Sequence, residues 1–465
     1  MWEEGVSRRS LLGGMFCAAA AAGGGAAAEA KDAAAGARQT QDAPGRSTAR
    51  GPRVTKIEAF DITTEYEDWL HYPLQHFYGP SRRTVYLAHT DTGLVGLGEG
   101  GRESEETIKQ YVGTNPFDWM GDEVSLPLGM AMYDLMGKTA GVPVYKLFGQ
   151  KRRSWVPAGS WTVSCHPTRM AEAVRNYSRR GYTWLKYHLS PFENVFDQIE
   201  AMEKVAPAGF RIHLDFTMGG SDDSMPELLD RLSEHPIVGA FEDPLPEKDI
   251  EGYAALRKRA KRPIVYHHAP LGATHEVLQG AADIYMLGHA RIGEAMRRAG
   301  LFAAADVPFM IQNVGGNITR ALTLHMQAAF PTAHFHFHSD TETWKTDVVH
   351  ERLEPIQGRI RVPESPGLGV TLDPAALERA RTLQLPEQKK WILKTRFKDA
   401  TRMYHLVDPA KNILLVRPDL AREITLSYAA PLSSEWWDDD GSAAFQQMRE
   451  RLERERIVLE KETAK

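Results

Sequence analysis

Short apolar runs that end in polar residues recur six times between residues 154 and 340. They cover residues 184–188, 211–215, 238–244, 263–268, 284–289 and 308–313, and an amphipathic stretch with helical spacing precedes each one. Strand and helix alternating at this rhythm are typical of a parallel sheet, and this many units in a row favour a closed (β/α) barrel. In such barrels the chemistry lies at the C-terminal ends of the strands, which here carry Lys, His, Asp and Glu. The pattern therefore predicts an active site, with a metal site among its candidate features.

An α+β segment precedes the barrel. Residues 54–64 and 83–97 have strand character, and Asp91-Thr92-Gly93 is typical of a hairpin turn. A helix is predicted over residues 126–138, followed by a Gly and a Pro that end it. We interpret this part as a small capping domain, with residues 155–163 as the first barrel strand. The predicted barrel helices cover residues 168–180, 194–205, 225–235, 249–260, 275–280, 292–304 and 317–329.

The alternation stops after residue 340. Residues 358–363 and 366–370 indicate a closing strand and turn, and the last helix is predicted over residues 443–460. The tail shows no periodic core signal beyond residues 412–416, so we expect it to dock on the body or on a second subunit. The predicted organisation is a signal peptide (1–28), a disordered linker (29–52), a capping domain (53–153), a barrel (154–375) and a C-terminal extension (376–465).

The first segment predicts export. Ser7-Arg8-Arg9-Ser10 precedes a mildly apolar Gly/Ala run that ends in small residues, which is typical of a twin-arginine signal leading to the periplasm. The alternative is a disordered Ala/Gly tail. The run is too rich in Ala and Gly for a permanent membrane span, and a net charge of −5 gives no reason to expect nucleic acid. Of two cysteines, Cys17 would leave with the signal and Cys165 would remain, which excludes an internal disulfide and a cysteine-based metal cluster.

Several motifs resemble the enolase superfamily, in its mandelate racemase and muconate-lactonizing branch. They are residues 132–138 with 141–149, the turn at 366–370, and Glu242-Asp243-Pro244 after an apolar strand, within a similarity that covers residues 54–373. The resemblance implies an N-terminal α+β capping domain on a modified (β/α) TIM-type barrel. It also implies a divalent metal, usually Mg²⁺, that stabilises an enediolate formed by removal of the proton next to a carboxylate.

The resemblance assigns three positions to metal binding. Asp215 and Glu242, at the ends of the third and fourth strands, match the first two ligands, although Asp215 could instead cap the following helix. His268 stands where the family has a third carboxylate, beside His267. Mg²⁺ prefers oxygen ligands, whereas imidazole suits Mn²⁺, Fe²⁺ or Zn²⁺, so either the metal differs or His268 is a rim histidine outside the metal shell. Asp243 would point the other way on a strand and make a structural contact.

Lys186 and His188 match the catalytic second-strand pair of the family, with His in place of the second lysine. Alternation puts both on one inward face. His188 suits an acid or base at neutral pH, and Lys186 would meet a substrate carboxylate. Gly288 replaces the sixth-strand acid or lysine of the family. On the eighth strand His334, His336 and His338 alternate, so they either line the site or form an ordinary hydrogen-bonded strand end.

The leading functional hypothesis is an exported lyase that dehydrates an acid sugar. A racemase or epimerase of a 2-hydroxy acid is the alternative enzyme, and its weak point is Gly288. The third hypothesis is a binding protein on a barrel that has lost catalysis. The expected partner is a small carboxylate, and we expect a homo-oligomer, with no role in nucleic-acid binding and no integral membrane segment.

Overall fold

The protein is described by a computed structural model over residues 51–190, 192–217, 224–267, 269–270, 272–387, 389–408 and 431–461. Its strands are β1 Val54–Thr64, β2 Ser81–Thr90, β3 Val95–Gly100, β4 Trp155–Pro157, β5 Ser160–Val163, β6 Trp184–His188, β7 Arg211–Asp215, β8 Val238–Glu242, β9 Ile264–Tyr266, β10 Ile284–Gly288, β11 Phe309–Gln312, β12 Arg359–Arg361, β13 Trp391–Phe397, β14 Thr401–Val407, β15 Pro431–Trp437 and β16 Ile457–Lys461. Its helices are α1 Asp68–Tyr78, α2 Glu105–Tyr111, α3 Leu126–Ala140, α4 Tyr145–Phe148, α5 Pro167–Arg179, α6 Val195–Glu203, α7 Met225–Leu232, α8 Ile250–Arg259, α9 Thr274–Leu278, α10 Ile292–Ala304, α11 Asn317–Ala329, α12 Pro374–Thr382 and α13 Ala443–Glu455.

The N-terminal part is an antiparallel sheet of order β1-β2-β3 with helix α3 packed on it. The predicted strands and hairpin are present, and Gly93 has the positive φ that the turn needs. Two strand glycines permit the close packing of the helix. A Cβ at Gly96 would lie 2.3 Å from the Ala131 carbonyl oxygen, and one at Gly98 would lie 2.1 Å from that of Pro127.

The central part is a parallel sheet of order β5 to β11 in sequence. Residues 336–338 close it into a barrel, since Phe337 forms a parallel bridge with Ala158 and His338 forms one with Gln312. These residues supply the eighth strand position, next to both β11 and the segment before β5. The predicted barrel with an N-terminal cap is therefore confirmed, and its carboxyl strand ends meet at one mouth.

The predicted first strand, residues 155–163, is wrong as a single element. Its first half is β4, which pairs antiparallel with β12, and only β5 belongs to the barrel. The backbone changes partner between them, because Ala158 N–H donates to Gly358 and Gly159 N–H donates to Phe337. The predicted closing strand, residues 358–363, is correspondingly β12 and lies outside the barrel sheet. A period-two hydrophobic pattern shows only on which face of a strand each side chain lies. It stays the same when the backbone changes from one neighbouring strand to another, so the sequence did not show the change of partner.

The C-terminal part is an antiparallel sheet of order β15-β13-β14-β16 that carries helix α13. The expectation of a single helix over residues 443–460 is wrong, because the helix ends at Glu455 and Ile457–Lys461 form a strand. The tail also has a core cluster of its own, against expectation, made of Ile392, Tyr404, Phe445, Leu452 and Val458.

Several predictions fall outside the described residues. They concern the export signal and linker within residues 1–50, the apolar signal at 412–416, and His268. The domain boundaries also stay predictions. Among the described residues, the search for a helix long and apolar enough to cross a bilayer finds none.

Candidate active site at the barrel mouth

Three neighbouring strands end in register at the mouth. His188 of β6 pairs with Asp215 of β7, which in turn pairs with Glu242 of β8. Two residues before the end of β6, Lys186 points inward, as strand alternation predicts. The predicted residues Lys186, His188, Asp215 and Glu242 are therefore brought together in one cluster.

Lys186 lies between the two carboxylates. Its Nζ is 2.8 Å from Glu242 Oε1 and 3.0 Å from Asp215 Oδ2, and all three side chains are buried. Burial works to lower the pKa of Lys186, but the two carboxylates outweigh it, so the net pKa is raised. Burial raises the pKa of Asp215 and Glu242, yet Lys186 and the neighbouring histidines bring both below their usual range. All three groups are thus charged at neutral pH.

His188 is the reachable titratable group of the cluster. Its Nε2 lies 3.1 Å from Asp215 Oδ2, and its side chain is 16% exposed. The ring of Trp161, 5.5 Å away and nearly perpendicular, packs against the imidazole and limits its rotation. His188 Nδ1 is buried and has no hydrogen-bond partner among the described residues. The Asp215 contact therefore fixes the orientation of a ring that still faces the mouth.

Two further histidines contact Glu242. His267 Nδ1 lies 3.2 Å from Oε1, and His213 Nε2 lies 2.9 Å from Oε2 with poor hydrogen-bond angles. His213 Nδ1 continues to His336 Nε2 at 3.2 Å. Sequence reasoning missed His213, although its position two residues before Asp215 on β7 already placed it on the same inward face.

The donors around Glu242 fit a divalent cation. Glu242, Asp243 and His267 each offer one ligand atom, and these atoms lie within 4.8 Å of one another. Asp243 makes the expected structural contact, accepting a hydrogen bond from the His267 backbone N–H. Its φ of 42° ends the strand, so alternation no longer turns its carboxylate away. A mixed set of carboxylates and imidazole suits Mn²⁺, Fe²⁺ or Zn²⁺ as well as Mg²⁺.

Glycine at position 288 has a steric explanation. A Cβ at this position would lie 2.2 Å from His267 Nε2, so the imidazole of the fifth strand occupies the space of a sixth-strand side chain. Only a residue without a side chain leaves room for that ring. The family's sixth-strand group is thus replaced in space by a histidine from the neighbouring strand.

We expect Gly288→Ala to destabilise the protein by about 1–3 kcal/mol, because the added methyl group overpacks the site and moves His267 away from Glu242. The thermal unfolding midpoint measures this. Gly300→Ala is the matched control, since nothing lies within 4 Å of a Cβ there and the position is inside α10. That control should be neutral or gain about 0.5–1 kcal/mol. Equal midpoints for the two variants would contradict the contact.

The eighth-strand histidines divide into two kinds. His336 and His338 are buried in the barrel, and burial holds the pKa of both well below the usual range, so they are neutral. His336 stacks on Trp184 at 4.6 Å. Both ring nitrogens of His338 are buried without a hydrogen-bond partner among the described residues. The expectation of three imidazoles on one face is wrong for His334, which is exposed before the strand begins.

The cap adds groups that sequence reasoning missed. Tyr78, at the end of α1, packs on Trp161 at 5.7 Å, and Trp161 in turn packs on His188. After the eighth strand, burial raises the pKa of Asp340 to about 6, while Arg83 and His188 lower it. Asp340 lies two residues after His338, at the start of a 3₁₀ turn whose direction the sequence does not show.

The chain matches known proteins over this same region. The family described as Enolase C-terminal domain-like matches residues 169–376. A D-gluconate dehydratase from Thermoproteus tenax is 27% identical over 57% of this chain and 59% of its own length. An N-succinylamino acid racemase from Thermus thermophilus is 26% identical over 65% of this chain and 91% of its own. These matches support the enolase superfamily, in its mandelate racemase and muconate-lactonizing branch, as the family of this chain.

The fold is also that of this superfamily. An enolase from Pseudomonas fluorescens, solved with bound magnesium, potassium and tartrate, superposes with a TM-score of 0.61 at 18% identity, over 71% of this chain and 92% of its own. These likenesses confirm the predicted family and fold. They also bear out the prediction of an enzyme, since the named relatives are a dehydratase and a racemase. This chain spans less than two thirds of the length of the gluconate dehydratase that it matches.

Proposed function

We propose that this chain is a lyase that removes water from a polyhydroxy acid of the acid-sugar class. The observation that carries the proposal is the line of His188, Asp215 and Lys186 at the barrel mouth, in which a partly exposed imidazole and a buried ammonium share one carboxylate. A sugar acid offers matching chemistry: a carboxylate for the ammonium, and beside it a carbon-bound proton for the imidazole. The gluconate dehydratase relative supports this substrate class.

His188, in its neutral form, accepts the proton from the carbon next to the carboxylate. Lys186 stabilises the negative charge that then spreads onto the carboxylate, in a site where water is largely excluded. The hydroxyl group on the following carbon takes up a proton and leaves as water. Asp340 is the candidate donor, because a carboxyl group with a pKa of about 6 keeps part of its proton near neutral pH. The resulting enol becomes a 2-keto acid that lacks that hydroxyl group.

A divalent cation, when bound, supplies a Lewis acid for the substrate carboxylate. Glu242, together with Asp215 and with His267 or Asp243, would hold it. The imidazole in this set favours Mn²⁺, Fe²⁺ or Zn²⁺ in competition with Mg²⁺, which the resemblance implies. The assignment of His268 as a ligand stays a prediction.

Asp215→Asn is expected to lower metal occupancy strongly, because it removes one of the buried carboxylate charges from the site. Elemental analysis of purified protein after dialysis against Mn²⁺ measures the change. Asp197→Asn, on the exposed side of α6, is the control and should keep full occupancy. Equal occupancy in both variants would rule out Asp215 as a metal ligand.

The function is tested by incubating the purified protein with a panel of sugar acids in D₂O. Mg²⁺, Mn²⁺, Fe²⁺ and Zn²⁺ are compared with an EDTA-treated sample, and NMR follows both the 2-keto product and deuterium at the carbon beside the carboxylate. Dehydration of at least one acid is expected. Neither product nor deuterium incorporation with any acid and metal would overturn the enzyme proposal in favour of a binding protein.

A racemase is the second candidate, because His267, whose Nδ1 lies 3.2 Å from Glu242 Oε1, supplies a second imidazole besides His188, in the space that Gly288 leaves without a side chain. Two bases on opposite faces of a carbon are what racemisation needs. The racemase relative supports this alternative. Deuterium incorporation with inversion and no loss of water, in the same NMR experiment, would select it over the lyase.

We also propose export through the twin-arginine pathway, supported by Ser7-Arg8-Arg9-Ser10 and the following Ala/Gly run. Replacing both Arg8 and Arg9 with Lys should retain the protein in the cytoplasm, as cell fractionation would show. Unchanged location would contradict the signal. The expected homo-oligomer stays a prediction.

A further inference from the structure

The sheet of the C-terminal extension lies on helix α1 of the cap. Trp436 of β15 stacks on Tyr72 at 5.3 Å and meets Phe77 edge-on at 5.3 Å. Trp391 of β13 meets His76 at 5.3 Å and Trp436 at 5.0 Å. Aromatic pairs at these separations are attractive beyond the apolar area that they bury. The extension therefore packs on one face of α1 through Trp391 and Trp436.

Polar contacts fix the register of this packing. Trp391 is 1% exposed, and its indole N–H donates to the His76 carbonyl oxygen at 3.1 Å. His76 Nε2 lies 2.7 Å from Asp438 Oδ1 at the end of β15. The directional bonds at both strands hold α1 in one position along the sheet. His76 is therefore held by contacts with both strands of the extension.

Helix α1, on which the extension packs, ends at the barrel mouth. Tyr78 is its last residue, and its ring contacts Trp161, which packs on His188. Tyr78 is 36% exposed, so part of it is open to solvent beside the candidate site.

The extension also holds the loop that follows His188. Ser434 of β15 hydrogen-bonds to the Phe192 carbonyl oxygen, and Asn194 Nδ2 donates to the Pro431 carbonyl oxygen at 3.2 Å. His405 of β14 lies 6.0 Å from the Phe192 ring. Two segments that flank His188, one from the cap and one from the barrel, are therefore tied to the same sheet.

We propose that the C-terminal extension positions α1 over the barrel mouth and thereby sets the place of Tyr78 against the bound substrate. Trp391 and Trp436 are the positioning residues, and Tyr78 is the residue that contacts substrate. The part that concerns substrate rests on the proposed lyase function, whereas the positioning of α1 does not.

The test compares Trp436→Ala with Trp437→Ala in the full chain. Trp437 is adjacent but faces Phe445 and Lys394 on the other side of the sheet. Hydrogen exchange of residues 68–78 should become about tenfold faster in Trp436→Ala and stay at the wild-type rate in Trp437→Ala. Exchange of β13 and β14 checks that the extension itself remains folded in both variants.

A second pair avoids large cavities. Asp438→Asn removes the charge that meets His76, whereas Glu435→Gln on the same strand removes one that meets Lys394. Only Asp438→Asn should speed exchange in α1. Wild-type exchange there in both Trp436→Ala and Asp438→Asn would overturn the proposal, whatever the enzyme does.

Steady-state kinetics then tests the role of Tyr78. In Trp436→Ala, KM for the best acid of the panel should rise about tenfold, with kcat changed much less, because the chemistry at His188 is untouched. An equal fall in kcat would overturn positioning through Tyr78. If α1 loosens as expected and no acid is turned over even by the wild type, the failure belongs to the proposed function and the positioning of α1 stands.

Discussion

Lys186→Met is expected to destabilise the protein by about 3–5 kcal/mol and to abolish turnover. The change keeps an unbranched side chain but removes the only ammonium group between Asp215 and Glu242 in the described cluster. Two buried carboxylates would then face each other without a cation, and removing one partner of a buried ion pair costs about this much. Either one carboxylate takes up a proton, or the cluster opens to water.

Chemical denaturation of EDTA-treated protein measures this cost without a metal in the site. Lys151→Met is the matched control, because Lys151 pairs with Glu364 at the partly exposed surface, where such pairs contribute only about 0–1 kcal/mol. A Lys186→Met variant as stable as the Lys151→Met variant would show that Lys186 is not the counter-ion of the two carboxylates.

His188→Asn is expected to lower kcat/KM by about 10²–10⁴-fold, which is the usual contribution of a positioned general base. Asparagine is similar in size and can still bond to Asp215, but it cannot accept a proton at neutral pH. Deuterium exchange at the carbon beside the carboxylate should stop in the same variant. Metal occupancy and the unfolding midpoint should remain close to those of the wild type.

His235→Asn serves as the control, because His235 pairs with Glu203 away from the mouth and should leave kcat/KM unchanged. Persistent deuterium exchange in His188→Asn would place the base elsewhere. His267, beside Glu242, would then be the first candidate, since His336 and His338 are sealed within the barrel. Loss of folding or metal would show that His188 is structural.

The sequence alone determined the barrel and much of its mouth. Alternation on a short strand is a local property, so it placed Lys186 and His188 on one face before any partner was known. Parallel strands bring their carboxyl ends to one edge, so Asp215 and Glu242 were expected near that pair. The structure agrees with both inferences.

The sequence did not show the strands of the extension, and β13 explains why. Trp391 and Leu393 belong to the core that includes α1, whereas Ile392 belongs to the small cluster under α13. Because both faces of this strand are covered, its apolar residues run on without alternation. A run of this kind can be recognised only when both covering layers are known.

Only the tertiary structure decided which groups contact each other across strands. The place of Lys186 between two carboxylates, the ring of His267 in the space beside Gly288, and the partner switch between β4 and β5 all join segments distant in sequence. The packing of Trp391 and Trp436 on α1 brings together segments that are more than 300 residues apart in the sequence. Periodicity follows from local backbone geometry, which the chain encodes residue by residue, whereas these contacts depend on how complete layers pack together.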